Sequence, residues 1–135
     1  MSPSYWGPKS VTFWLVGVVT ILMLYVGVNG FLNPEAAIQG FGLPLKDVAD
    51  KPIVWVKADR DLFIGVFMLA LMVLRMRKAS LVFLLATTGS PIFDAIIVLQ
   101  NAVDKTPAWI HIVTVVYMLI VSWMLYQQEK KANIS

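Results

Sequence analysis

The chain has 135 residues, a formal net charge of +3, 59% hydrophobic residues and only 14% charged ones, and its mean hydropathy is +0.75. A soluble domain of this length carries far more charge, so the sequence reads as a single integral membrane unit. The absence of cysteine excludes disulfides, thiolate nucleophiles and cysteine metal sites. One histidine argues against structural zinc, and a small positive charge near helix ends suits a lipid bilayer better than nucleic acid.

The first apolar run covers 11–32. It is longer than the apolar part of a secretory signal and no small-x-small cleavage site follows, so it reads as a retained first span. The stretch "NPEAAIQGFGLP" comes next, with Asn33 as N-cap, Pro34 in the first helical position, Glu35 near the positive helix end and Gly40 as the stop. These signals predict a short interfacial helix lying flat on the membrane.

The stretch "VKADRDLFIGVFMLALMVLRMRK" is harder to place. Between Asp61 and Arg75 lie 13 uncharged residues, roughly 20 Å of helix against a bilayer core of about 30 Å. Only "RMRK" joins this run to the next, which requires a tight antiparallel pair and a complete crossing. The second span is therefore expected at 53–74, just after Pro52, with Lys57, Asp59, Arg60 and Asp61 inside its first turns. A third span at 79–101, containing Asp94, and a fourth at 108–126, before the polar tail "QQEKKANIS", complete an all-α membrane four-helix bundle.

Four crossings put both termini and the "RMRK" loop on one face with Lys9, Arg75, Arg77, Lys78, Lys130 and Lys131. The other face has Lys46, Lys51, Lys57, Arg60 and Lys105, so both termini are predicted to be cytosolic. Trp55 and Trp109 would anchor the outer interface. Tyr5, Trp6, Trp14, Trp123 and Tyr126 would anchor the cytosolic one.

Adjacent spans run in opposite directions, so depth can be compared between them. Asn29, Arg60, Asp61, Asp94 and His111, from four helices, fall at one level near the outer face. An intramembrane aspartate is costly unless it faces the bundle interior and finds a partner, which makes Asp94 a functional candidate; Arg60 can hold it through two hydrogen bonds. The plainer reading is a pair that fixes helix register. On the third span Ala86, Ser90 and Asp94 recur every four residues on a face where a neighbour can approach closely, and Pro91 predicts a kink. On the second, Lys57, Asp61, Gly65 and Met68 share a face, with Gly65 as a packing point for the third span. Lys57 and Asp59 read as a solvated helix start, and His111 more readily as a hydrogen-bonded residue than a catalytic one. A Ser90, His111 and Asp94 triad is disfavoured because no oxyanion-hole pattern accompanies it. An ion path is disfavoured because the cytosolic half has no polar lining.

With "NPEAAIQGFGLP", "KADRDLFIG", "FDAIIVLQN" and "AWIH", nearly the whole chain resembles a family of small four-span membrane proteins catalogued as domain of unknown function 4267, distantly similar to the DoxX-like membrane proteins. The family pattern falls on Arg60, Asp61, Gly65, Asp94 and His111. Members occur in fungi and bacteria, and the fungal ones resemble small membrane proteins encoded within specialised-metabolite pathways. The resemblance thus implies an endomembrane such as the endoplasmic reticulum, with partner pathway enzymes. Two functions are expected. One is acid-base chemistry such as isomerisation, cyclisation or dehydration of a lipophilic terpenoid or polyketide in a pocket lined by Asp61, Asp94 and His111, with Asp94 as the best acid or base, Arg60 as electrostatic control of the three, His111 as proton partner and no cofactor or metal. The other is a non-catalytic scaffold or carrier of a hydrophobic ligand.

Overall fold

In the computed structural model, which describes residues 6–134, every regular element is helical. The helices are α1 (Val11–Leu32), α2 (Pro34–Phe41), α3 (Lys51–Val73), α4 (Arg77–Thr87), α5 (Gly89–Asn101) and α6 (Ala108–Ile134), with a 3-10 turn at Val48–Asp50 before α3. Tyr5, expected at an interface, lies outside the described residues.

Among the described residues three helical segments are long and apolar enough to cross a membrane: Val11–Leu32, the α4 and α5 pair over Arg77–Asn101, and Ala108–Ile134. This makes the chain a membrane protein. The expected fourth apolar span is not among them. Helix α3 has 23 residues, enough length to cross, but its first half carries Lys57, Asp59, Arg60 and Asp61.

Two boundaries differ from expectation for local reasons. The third span is two helices, because Pro91 has no N–H to offer the carbonyl four residues back. At the break the Thr87 hydroxyl donates to the Phe83 and Leu84 carbonyls and the Thr88 hydroxyl to Leu84, back-bonds that accompany bends in helices. Helix α6 runs well past 126, because its polar tail has partners: Gln128 Oε1 accepts from the Thr12 hydroxyl at 2.7 Å, and Arg77 Nε donates to Glu129 at 2.6 Å. These bonds bring the starts of α1 and α4 to the end of α6.

That end is densely filled. Trp6, Val16, Val19, Met68, Met72, Leu84, Met118, Val121 and Leu125 form one buried cluster. Trp6, expected as an interfacial anchor, is instead 2% exposed and donates from its indole to Thr12. Trp14, Trp55, Trp109, Trp123 and Tyr126 are exposed, as interfacial anchors require.

The most extensive helix pairing is α1 against α3. Its cause is small residues: a Cβ at Gly27 would lie 2.6 Å from the Leu62 backbone, and one at Gly30 would lie 2.6 Å from Ala58 Cβ. Gly65 likewise faces Leu24 of α1, so it packs against the first helix and not, as expected, the third span. The turn between α3 and α4 closes with the Arg75 N–H on Met72 O and the Met76 N–H on Leu71 O, with Arg75 left-handed at φ 57°.

Candidate functional site

Away from the packed end the helices diverge around a cavity of about 280 Å³. Its floor is apolar, with Val19, Met23, Met68 and Met118; its upper wall contains Lys57, Asp61, Ser90, Asp94 and His111. Helix α2 forms part of the cover through Ala36, Ala37, Ile38, Gly40 and Phe41. A flat interfacial helix was expected there. This one packs on α1 and α3. It ends not at Gly40 but at Gly42, whose φ of 108° places the Leu43 N–H on Ile38 O. A Cβ on Gly42 would meet Val98 and Pro107 at 3.0 Å, so this cap is wedged between α5 and the loop before α6.

Asp61 is the most enclosed charge of the group, with its side chain 5% exposed. Lys57 Nζ donates to Oδ2 at 2.5 Å, while Arg60 Nε and Nη2 donate to Oδ1 at 3.2 and 3.1 Å. Three charge-assisted bonds offset the burial of this carboxylate. Lys57 is therefore a member of the site and not the solvated helix start expected from sequence. Its ammonium also lies 4.7 Å from the centroid of the Phe41 ring. Asp59 is exposed, as expected of a helix start.

Asp94 is held differently. Arg60 Nη2 lies 3.7 Å from Oδ2, and among the described residues the carboxylate accepts no hydrogen bond. The two-bond grip expected between Arg60 and Asp94 is absent because the guanidinium has turned to its sequence neighbour. Asp94 remains 13% exposed at the cavity wall, in ion-pair range of one cation.

His111 Nε2 lies 3.3 Å from the Phe41 carbonyl. A carbonyl only accepts, so Nε2 is the donor and, in the neutral ring, Nδ1 is the acceptor. The imidazole also meets the Phe41 ring edge-on at 4.7 Å. Asn29 lines the same cavity, with its Oδ1 accepting from Asn33 Nδ2 at 3.1 Å. Ser90 is there too, but the α4 and α5 face differs from the one expected: Ala86 is exposed, and Thr87, Ser90 and Asp94 line the cavity.

Asn29, Asp61, Asp94 and His111 thus come together on one cavity, with Arg60 reaching it from outside through its two ion pairs. Lys57 is the residue the sequence reading left out. Its signal was the four-residue spacing to Asp61, which puts the pair on one helix face. Among the described residues no group of three or more His, Asp or Glu is placed to hold a metal ion. The chemistry available is proton transfer at Asp94 and His111 beside a fixed pair of cations.

No curated protein and no solved structure matches the chain. Residues 20–125, which include all of the polar wall, match the family Domain of unknown function (DUF4267), and the chain belongs to it.

Proposed function

We propose that the protein is a small multi-pass membrane enzyme that performs acid-base chemistry on a lipophilic molecule held in the α2-covered cavity. One observation carries the reading: two carboxylates share the cavity wall, and one is saturated with donors while the other is not. Asp61 accepts three hydrogen bonds from Lys57 and Arg60. Asp94 meets only the Arg60 Nη2 that already donates to Asp61, at 3.7 Å. Paired carboxylates whose surroundings differ divide the roles, one ionised and structural, the other available to exchange a proton. Asp94 is the acid or base, Arg60 and Asp61 set the local field, and His111 is positioned by Phe41 to relay the proton through Nδ1. Isomerisation, cyclisation or dehydration of a terpenoid or polyketide are reactions this set can perform without a cofactor. A pathway of specialised metabolism in a fungal endomembrane, with neighbouring enzymes as partners, is the setting that fits such a substrate.

In this reading α3 crosses as a fourth span, Lys57 and Asp61 of its charged first half turned to the cavity and Asp59 and Arg60 exposed near the outer interface, and both termini are cytosolic. A carrier of a hydrophobic ligand is the second reading, favoured by the apolar floor of Val19, Met23, Met68 and Met118. The two separate at Asp94→Asn, which preserves shape and removes the ionisable group. Metabolite profiles are compared among the intact source organism, a deletion, and a deletion complemented by Asp94→Asn at normal membrane abundance. An intermediate that accumulates on deletion and persists with the Asn form supports the enzyme. A normal profile restored by the Asn form rejects it and leaves the carrier.

A further inference from the structure

We infer that the cavity opens sideways into the bilayer between α1 and α6, under the edge of α2, and that it admits an uncharged, membrane-dissolved lipophile bearing one polar group. The inference names the ligand class and route for the site proposed above, and rests on that reading only for where the polar group goes.

Helices α1 and α6 are tied at one end, where Thr12 donates to Gln128 and the Tyr117 hydroxyl to the Leu15 carbonyl at 3.0 Å. Further along, the two helices line the cavity from opposite sides, with Leu22 and Val26 on α1 and Ile110 and Thr114 on α6. Leu22 is 39% and Ile110 63% exposed while lining it, so these residues form a rim and not an inner wall. Gly40 of α2 supplies an independent sign: it also lines the cavity, yet a Cβ added there would meet nothing within 4 Å. Space is open at that point.

Depth decides what the rim faces. Leu22 stands half-way along the 22-residue α1, about 16 Å from either end, which is the middle of a hydrocarbon core of about 30 Å. From that level the rim runs to Ile110, the third residue of α6, near the outer interface, so the inner part of the mouth meets acyl chains. Charge decides what can pass. Lys57 and Arg60 are matched by Asp61 and Asp94, so an ionised ligand would bring an uncompensated charge into a low-dielectric site. A neutral molecule with one hydroxyl or carbonyl can lie along the methionine-lined floor and present that group to Asp94 and His111. Gly40 adds no side chain at the rim, so bulk placed there would narrow what is admitted.

The chain has no cysteine, so single thiols report access directly. Full-length Ser90→Cys, inside the cavity, and Val113→Cys, on the exposed face of α6, are reconstituted in phosphatidylcholine vesicles. Each is treated with lipid-soluble N-phenylmaleimide or with a charged, impermeant sulfonatoethyl methanethiosulfonate present on both sides. The expected result is that Ser90→Cys reacts with the maleimide at a rate at least about tenfold above any reaction with the charged reagent, both reagents attacking the same thiolate. Adding Gly40→Trp should slow the maleimide at Ser90→Cys severalfold and leave Val113→Cys unchanged. Comparable reaction with the charged reagent, no reaction with the maleimide, or a rate indifferent to Gly40→Trp would each overturn the portal. The acid-base reading would survive any of these, because it stands or falls on Asp94→Asn.

Discussion

The two ends of the molecule are built on opposite plans. At one, Trp6, Leu84, Val121 and Leu125 are almost completely enclosed, and the starts of α1 and α4 clasp the end of α6 through Thr12 with Gln128 and Arg77 with Glu129. At the other, the helices stand apart around about 280 Å³ of space, and the polar groups line that space. The contrast teaches that the hollow end is not loosely assembled. It is held open by the tight α1 and α3 seam behind it and by the α2 cap wedged at Gly42, so rigidity and emptiness coexist there.

The sharpest way to break the comparison is to place the same change at two glycines of the hollow end. Gly27→Leu must displace the Leu62 backbone, and we expect folded protein to fall below detection in membranes. Gly40→Leu, projecting into open space, should leave accumulation and thermal midpoint unchanged. Equal losses at both would show that the cavity end depends on α2 as much as on the seam.

A smaller effect separates the two carboxylates. Asp61→Asn leaves Lys57 and Arg60 facing a neutral amide in a buried position and should cost about 2–3 kcal/mol, below the range for fully buried pairs because Arg60 is half exposed. Asp94→Asn, with one ion pair at 3.7 Å, should cost less than about 1 kcal/mol. Unfolding in detergent measures both, and a reversal of the order would transfer the catalytic assignment to Asp61.

Packing gives the next contrast. Leu84→Ala at the closed end should cost roughly 2 kcal/mol, the low part of the range for water-soluble cores because lipid-embedded helices lack a hydrophobic drive to associate. Val26→Ala at the cavity rim should cost under about 0.5 kcal/mol, since it enlarges a space that already exists. Smallest of all, Arg75→Gly relieves a left-handed backbone at φ 57° and should raise stability by about 0.5 kcal/mol. A loss on that substitution would show that the Arg75 side chain contributes more than its backbone costs.

The apolar runs of α1 and α6 were legible because uncharged length alone identifies them, and Pro91 announced the break between α4 and α5. Comparing depth between spans was enough to assemble Asn29, Asp61, Asp94 and His111. The partner of Arg60 was not legible, because adjacent helix residues ordinarily do not face each other and the rule that assigns partners three or four apart excludes Asp61. Nor was the α1 and α3 seam, since Gly27 and Gly30 show their use only when Leu62 and Ala58 lie opposite. The length of α6 was hidden for a related reason: a polar tail reads as solvent until Thr12 and Arg77 are found beside it.

That tail has a consequence for the order in which the molecule can be made. The α1 and α3 seam needs only the first 73 residues, so the ribosome can release a paired α1 and α3 while the rest of the chain is still being translated. Thr12 and Arg77 must wait for Gln128 and Glu129, which follow them by 116 and 52 residues. The cavity therefore acquires its α6 wall after all its others, and a nascent chain stalled before α6 has its acidic wall open on one side.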